Sequence, residues 1–313
     1  MSFLLDIDEF VSAYRDYQME QRIDDMGVDL ECALSDDFNV YGLYPFGLDE
    51  LSFLRYYMQD QGADDGVYEY YCSSFNNLCP SQLRTRLSNG MQFLLSTDLL
   101  IEAGREITMT SSFENDDIHF LAIRHLYPNR LLSIHDKIEI QHASKPLKQH
   151  YRVGSHYSRN LIELYSDIGI EHVNIPNPVD IGVRYWLKMG YAVSDHIWND
   201  VRNSFIEMVE SGAFEEIEQK KLLSLLKTRG KRVLNALARS ESTLADRFFE
   251  EYQSFKKLGK GPVIQDGYWA DLTCQSQQKK FSRFFKDRNM SAPRFCNDKK
   301  RRSFAKGRPL LAA

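Results

Sequence analysis

The clearest structural signal in this chain is KIEIQHASKPLKQHYRVGSHYSRNLIELYSDIGIEHVNIPNPVDIGVRYWLKMGYAV, residues 137–193. Residues 137–143 alternate isoleucine with polar side chains, which predicts a half-buried strand. Residues 156–168 place apolar side chains at helical spacing, and residues 170–175 have the pattern of a second strand. A helix over residues 180–189, ended by a glycine, and a short third strand complete the stretch. The predicted order is therefore strand, basic loop, helix, strand, helix and strand.

The loop in this stretch is strongly cationic. Lys145, Lys148, Arg152 and Arg159 surround Gly154. A strand followed by a cationic loop and a helix N-terminus can bind phosphate, because backbone N–H groups and the helix dipole both favour negative charge there. An ordinary surface connection between a strand and a helix has the same composition, so both interpretations stay open.

The region before residue 137 is predicted to mix helices and strands. Apolar spacing predicts helices at residues 6–25, with Asp8 as a cap, and at residues 49–59. The β-rich runs at residues 106–113 and 118–126 flank turn-forming polar residues, which predicts a hairpin. Further short strands are predicted at residues 39–46 and 130–134.

The region after residue 194 is predicted to be helical throughout. Apolar side chains recur there at spacings of three and four, with charged residues on the opposite faces. The break at Gly230 indicates a helical hairpin. The predicted helices are residues 194–210, 214–227 and 232–257.

The composition indicates a folded chain without a membrane span. The sequence has 313 residues, of which 43% are hydrophobic and 12% aromatic. This is enough apolar surface to form a sizeable core, so global disorder is excluded. Because it contains no long apolar run and begins without a basic segment before an apolar one, we expect no membrane span, no signal peptide and a cytoplasmic location.

The five cysteines predict neither a disulfide framework nor a zinc site. Their number is odd and none forms a CxxC pair, so buried thiols in a reducing compartment are the better interpretation. A thiol enzyme that uses Cys72 has no flanking signature in its support. No metal site is expected.

Charge is distributed unevenly along the chain. Residues 1–70 contain 17 acidic and 3 basic residues, whereas residues 275–313 contain 2 acidic and 12 basic ones. Within residues 277–308, basic residues alternate with phenylalanines, which can bind nucleic acid through phosphate contacts and base stacking. A membrane surface or an acidic protein surface attracts the same composition. A solvated tail, or a tail folded back on the acidic N-terminal region, remains open as a third interpretation.

The eight histidines all lie between His119 and His196. Because imidazole changes protonation near neutral pH, this clustering identifies the middle of the chain as the place for acid–base chemistry. Their spacing contains neither HxxxH nor HExxH, so they do not form a recognisable metal motif.

The central stretch resembles the acyl-coenzyme A (acyl-CoA) binding core of the GNAT-type N-acetyltransferases. Residues 154–161 (GSHYSRNL) stand where that family has a glycine-rich pyrophosphate loop that opens a helix. Residues 182–191 (GVRYWLKMGY) are similar to a later family helix, with a small residue, an aromatic pair and a Lys-x-Gly-aromatic ending. The resemblance covers residues 118–193. In the best register Val153, His156 and Ser158 take positions that the family fills with Gln or Arg, Gly, and Gly or Ala.

The resemblance implies an α/β fold of the α+β kind, with a GNAT-like mixed, mostly antiparallel sheet, flanking helices and a helical C-terminal region. It implies an acyltransferase that moves an acetyl or other acyl group from acetyl-CoA or another acyl-CoA to an amine of a small molecule or protein. The implied catalytic residues are Glu139 or His142 as base and Tyr185 as acid, because Trp186 stands where the family has tyrosine. The implied cofactor-binding residues are Arg152, Val153, Gly154, Ser155, His156, Tyr157, Ser158, Arg159, Asn177 and Trp186.

Four segments follow from these patterns. They are an acidic α/β region at residues 1–103, a GNAT-like core at 104–193, a helical region at 194–262 and a basic tail at 263–313. The alternative function is a GNAT-like scaffold that has lost catalysis and binds nucleic acid or an acidic protein through the tail.

Overall fold

The chain forms eight β-strands and eleven α-helices within residues 2–25, 47–142, 153–176, 182–211, 214–257 and 267–295, which are the residues that a computed structural model describes. The strands pair mostly antiparallel, so the predicted mixed α/β class with a mostly antiparallel sheet is confirmed. The chain divides into two units. The first comprises Met1–Arg130, Lys137–Gly169 and Cys296–Ala313, and the second comprises Leu131–Asp136 and Ile170–Phe295.

The first unit is built on a set of sequential strands. They are β1 (Ser2–Asp6), β2 (Ser96–Glu102), β3 (Glu106–Glu114), β4 (Ile118–Tyr127) and the second half of β5 (Leu132–His142). The strands β1 to β4 pair antiparallel in that order. Every second residue of β4 is buried, as period-two patterning requires. The hairpin predicted between β3 and β4 is confirmed, and its turn is held by Asn115, whose Oδ1 accepts the N–H groups of Asp117 and Ile118.

Five helices complete the first unit: α1 (Ile7–Asp25), α2 (Glu50–Asp60), α3 (Asp65–Phe75), α4 (Pro80–Leu87) and α5 (Val153–Ile168). The helices α1 and α3 pack on β2, and α4 packs against α1 and α5. Carboxylates cap the starts of α1, α2 and α3, because they accept N–H groups that have no partner within the helix. At α1 the cap is Asp6, which accepts from Asp8 and Glu9, so the prediction of Asp8 as cap is wrong. Asp8 instead pairs with Arg84 at 2.6 Å.

The strands predicted at residues 130–134 and 137–143 are one strand, β5, because the polar residues between them do not interrupt the extended backbone. A 3-10 turn (Pro128–Arg130) precedes it. The strand predicted at residues 39–46 lies outside the described residues.

The second unit contains a parallel pair of strands, β5 and β6 (His172–Ile175). Its strands are the first half of β5, then β6, β7 (Ala192–Val193) and β8 (Tyr268–Asp271), hydrogen-bonded in the order β5-β6-β8-β7. Leu132–Ile134 of β5 pairs parallel with His172–Asn174 of β6. Strand β8 then pairs antiparallel with both β6 and β7. Gly267 precedes β8 with a φ of +68°, and a Cβ there would lie 2.1 Å from the Ile175 carbonyl oxygen, so only glycine fits.

Six helices belong to the second unit: α6 (Gly182–Met189), α7 (Trp198–Glu210), α8 (Glu216–Thr228), α9 (Arg232–Arg239), α10 (Thr243–Lys257) and α11 (Gln275–Lys286). The helices predicted between residues 194 and 257 are confirmed, including the break at Gly230, whose φ is +56°. The region after residue 194 is not helical throughout, because it also contains β8. The helix predicted over residues 232–257 is two helices. It breaks at Ser240, which has an extended backbone and accepts from Arg184 Nη2 at 2.8 Å.

The segment predicted as the start of a basic tail forms part of the second unit. Strand β8 and helix α11 lie within residues 263–286. The helix α11 buries Phe281, Phe284 and Phe285, which follow the spacing of one helix face. These three rings are therefore core residues and do not offer stacking surfaces to nucleic acid. The two units also group the chain differently from the four predicted segments, because β8 pairs with strands from the centre of the sequence.

Candidate functional site

The residues predicted to form a pyrophosphate loop lie in the first turns of α5. The side chains at four of these positions are buried: Val153, Ser155, Tyr157 and Ser158. A Cβ at Gly154 would lie 3.0 Å from Cδ1 of Ile140 on β5. Glycine at this position therefore allows α5 to approach the strand closely, which is a packing role in the first unit.

Two further predicted cofactor residues have partners inside the first unit. His156 lies against Gly90, where a Cβ would come within 2.7 Å of the imidazole Nδ1. Arg159 donates from Nη2 to Glu163 Oε1 at 3.0 Å and from Nη1 to Asn160 Oδ1 at 3.2 Å. The guanidinium group is thus bound along its own helix. Arg152 and Asn177 lie outside the described residues, as does the His142 side chain.

Helix α5 is held in place by an asparagine that the sequence analysis did not identify. Asn160 is buried, and its Nδ2 donates to the carbonyl oxygens of Leu87 and Asn89, each at 2.9 Å. Because both carbonyls lie at the C-terminal end of α4, one side chain fixes the middle of α5 against that end. A polar residue on the apolar face of the predicted helix was the available signal.

A buried arginine lies beside the first turn of α5. Arg124 on β4 is fully buried and donates from Nη1 to the carbonyl oxygens of Ile123 and Lys137. Its guanidinium carbon stands 5.6 Å from the Tyr157 ring centroid, within cation–π range. Among the described residues, its Nε and Nη2 atoms have no hydrogen-bond acceptor. The sequence signal was a charged residue at an inward position of an alternating strand.

Glu139, the predicted general base, is bound by its own strand. Lys137 Nζ stands 2.7 Å from its carboxylate, and Gln141 Nε2 donates to Oε1. The hydrogen bonds from Lys137 and then Gln141 hold the pKa of Glu139 below its usual value. A carboxylate with a lowered pKa accepts a proton less readily, so this environment does not favour a role as base.

The parallel pairing in the second unit ends immediately before a buried histidine. The last paired residues are Ile134 and Asn174, and His135 follows on β5. His135 is 5% exposed, and its ring lies 5.9 Å from Trp186 and 6.5 Å from Tyr191. His135 was not among the predicted site residues, because it directly follows a run, residues 130–134, that was predicted as a separate short strand.

The aromatic pair of α6 packs into the interior of the second unit. Trp186 is 3% exposed and makes edge contacts with Tyr185 and Tyr191 at centroid distances of 5.0 and 5.4 Å. Tyr185 in turn contacts Phe284 of α11 at 5.3 Å. These contacts hold the Trp186 ring next to His135 in the interior of the second unit.

Helix α6 is anchored at both ends by side chains from the helical region. Asn235 Nδ2 donates to the carbonyl oxygens of Leu187 and Tyr191, each at 2.8 Å. Arg184 pairs with Asp246 and lies over the Phe249 ring at 5.5 Å. These bonds hold in place the helix that carries Trp186, the α6 ring that contacts His135.

The predicted site residues separate into two groups. The first turns of α5 and the end of β5 lie together in the first unit, whereas Tyr185, Trp186 and the added His135 lie together in the second. Within the described ranges, no three or more His, Cys, Asp or Glu side chains converge as metal ligands. Those ranges also contain no helix of the length and apolarity that a bilayer crossing requires.

Comparison of the whole chain with protein-family models, curated proteins and solved structures finds no match.

Proposed function

We propose that the protein is a GNAT-like acyltransferase that moves an acyl group from acyl-CoA to an amine. The observation that carries the proposal is the short parallel pair of β5 and β6, which ends at Ile134 and Asn174 just before the buried His135. Helix α5 connects the two strands in the chain. A parallel pair joined through a helix, in a mostly antiparallel sheet, agrees with the resemblance carried by residues 182–191.

The end of the pairing supports binding of the pantetheine arm of acyl-CoA. Beyond the last paired residues, a strand presents backbone N–H and C=O groups at a regular spacing. An extended ligand with amide groups can bind them as an added strand does. Asn174, which is buried on β6 at the last paired position, adds an amide side chain there. An arm bound in this way would bring its thioester end towards the residues that surround His135.

We assign the general base to His135. In the proposed reaction the amine nitrogen attacks the thioester carbonyl carbon, and the imidazole takes the proton that the amine loses. The C–S bond then breaks, and the coenzyme A thiolate leaves and takes up a proton. Imidazole suits this role at neutral pH, and the edge contacts from Trp186 and Tyr191 fix the ring orientation.

Two measurements on the full chain test this proposal. Calorimetry with acetyl-CoA should show binding, and release of free thiol should be observed with one member of a panel of primary amines. His135→Gln should lower that rate by about 100-fold while acetyl-CoA affinity changes little, because the base acts only in the chemical step. His119→Gln, on β4 of the first unit, is the matched control and should leave the rate unchanged. Absence of binding at about 1 mM acetyl-CoA would reject the proposal.

One observation favours the alternative function. Helix α11 buries its phenylalanines and exposes Lys279, Arg283 and Lys286 on its other side. These cations line a shallow open groove of about 560 Å³. We propose, as a second candidate, that this face binds nucleic acid or an acidic protein. Replacing all three cations with glutamine should weaken binding to a random DNA duplex and flatten its salt dependence; an unchanged salt slope would exclude the helix from such binding.

A further inference from the structure

The second unit contains a large cavity at the opposite end of β6 from its last paired residue. The cavity has a volume of about 680 Å³ and lies between the start of β6, strands β7 and β8, the start of α9 and the start of α11. This volume is within the usual range of small-molecule sites. Residues that matter for its chemistry include Lys231, Arg232, Lys280, Trp269, Asp271 and Cys274.

The cavity concentrates positive charge. Lys231, Arg232 and Lys280 line it, and Arg239 is close enough to influence Lys280. Burial and then the charges of Arg239 and Arg232 lower the pKa of Lys280. In the described part of the chain, neither Lys280 nor Arg232 has a carboxylate within ion-pair distance. Like charges held together in a concave site repel one another, so an anionic ligand would relieve the repulsion.

The two carboxylates of the cavity are already engaged. Asp195 pairs with Lys231 at 2.8 Å. Asp271 Oδ1 accepts from the backbone N–H of Thr273 at 2.8 Å and from its hydroxyl at 2.6 Å. These contacts leave Lys280 and Arg232 as the cations available to a ligand.

The Lys280 side chain is held in position by packing. A Cβ at Gly190 would lie 3.0 Å from the Lys280 Cβ and 3.5 Å from its Cδ, so the aliphatic stem runs directly over that glycine. Gly190 has a φ of +131°, which an L side chain rarely adopts. The turn after α6 therefore provides a flat surface on which the ammonium group is presented to the cavity.

The N-terminus of α11 adds polar donors to the same cavity. Cys274 precedes the helix, has no side-chain cap bond, and places its Sγ 3.1 Å from the Ser276 hydroxyl. The hydrogen bond from Ser276 and then the backbone N–H of Gln277 lower the pKa of Cys274. N–H groups at a helix N-terminus favour negative charge in this way. Trp269 also lines the cavity, and its buried Nε1–H has no acceptor among the described residues.

We propose that this cavity binds a small phosphate monoester, with Lys280 and Arg232 as the cations for the phosphate and the N-terminus of α11 as the source of N–H donors. A dianion matches two cations that lack carboxylate partners, and phosphate oxygens accept several hydrogen bonds at once. The volume exceeds that of phosphate itself, which leaves room for an organic group beside the Trp269 indole. The proposal is independent of acyl transfer, because none of these residues was assigned to that reaction.

Protection of Cys274 from alkylation tests the proposal on the full chain. Inorganic phosphate and phenyl phosphate are the probes, and mass spectrometry measures iodoacetamide labelling of the Cys274 peptide at constant ionic strength. Bound phosphate should slow the labelling, because it blocks access and raises the pKa of the thiol. Phenyl phosphate should give half-protection at a lower concentration than inorganic phosphate, since its ring adds apolar contact.

Matched variants identify the residues responsible. Lys280→Met keeps the stem that packs on Gly190, removes the charge, and should raise the half-protection concentration about tenfold. Lys279→Met, on the exposed side of α11, should change it less than about twofold. If Lys280→Met does not fold, Arg232→Gln, at an exposed position, should give a shift in the same direction. Equal shifts from Lys279→Met and Lys280→Met, or no protection by about 10 mM phosphate beyond that given by chloride, would overturn the proposal.

Discussion

Arg124 in the first unit and Lys280 in the second are both cations without a carboxylate partner among the described residues, yet their surroundings differ. Arg124 is fully buried, donates to two backbone carbonyls and lies over an aromatic ring. Lys280 lines an open cavity, and other cations lower its pKa. A cation that is enclosed by backbone carbonyls and an aromatic ring contributes to the fold. A cation that lies with other cations at the surface of a cavity favours the binding of an anionic ligand from solvent.

The largest effect expected from this contrast concerns Arg124. Arg124→Ala should lower the free energy of unfolding by about 3–5 kcal/mol, because it leaves a cavity in the core and removes the donor from two backbone carbonyls. Urea denaturation followed by circular dichroism measures the change. Arg105→Ala, whose side chain is 82% exposed, is the control and should cost less than about 0.5 kcal/mol. A small loss at Arg124 would mean that the first unit does not depend on its buried charge.

A second pair of variants tests whether a buried asparagine that anchors a helix contributes equally to stability in the two units. Asn160 and Asn235 each donate from Nδ2 to two backbone carbonyls near the end of a helix. Each asparagine-to-alanine change should cost about 2–3 kcal/mol, since two buried hydrogen bonds are lost. Denaturant titrations of the two variants should therefore give similar losses. A loss confined to one of them would show that the two anchors are not equivalent.

Cysteine reactivity extends the comparison to nucleophiles. Burial raises the pKa of Cys72, and burial followed by the charge of Glu50 raises the pKa of Cys79 to about 11. In the second unit, Ser276 and the start of α11 lower the pKa of Cys274. Because the thiolate is the reactive form, Cys274 should be alkylated about tenfold faster than Cys72 or Cys79 at pH 7.5.

Peptide mapping after brief exposure to iodoacetamide measures the three rates. Ser276→Ala should slow labelling of Cys274, because it removes the hydrogen bond with the largest influence on that thiol. Equal rates at all three cysteines would contradict the assigned electrostatic difference between the units.

The smallest expected effect has the opposite sign to that of Arg124. Lys280→Met should leave the folded state as stable as the parent, or more stable by up to about 1 kcal/mol, because it removes repulsion. The pKa of Lys280 is lower in the folded state than in the unfolded state, so Lys280 destabilises the folded state at any pH where it is protonated in both. This destabilisation declines as the pH rises towards about 10.4, the usual pKa of lysine. The stability difference between parent and variant should therefore shrink at alkaline pH, which denaturation at pH 7 and pH 10 measures.

Local patterns predicted much of the fold. The β3–β4 hairpin followed from alternation, and the order of elements through residues 137–193 followed from its changes of period. Local patterns did not predict strand pairs whose members are distant in sequence. Strand β8 has four residues and joins strands that precede it by many helices, so no local signal shows its partners. The buried face of α11 was also not predicted, because its three phenylalanines alternate with basic residues and this mixture indicated a basic tail.

The candidate sites were harder to predict, because their properties arise from contacts. Glu139 was a plausible base from its strand position, but Lys137 and Gln141 on the same strand lower its pKa. His135 was inconspicuous in the sequence, and only the rings of α6 and Tyr191 make its position distinctive. Cys274 likewise has no flanking signature, since its environment depends on where α11 begins.

The late position of β8 in the sequence has a consequence for folding during synthesis. A ribosome releases β6 and β7 early, then the four helices α7 to α10, and only afterwards the strand that pairs with both. During that interval the edges that β8 later covers are exposed, and exposed edges are sites of mispairing between nascent chains. The second unit can therefore complete its sheet only after synthesis has passed Asp271.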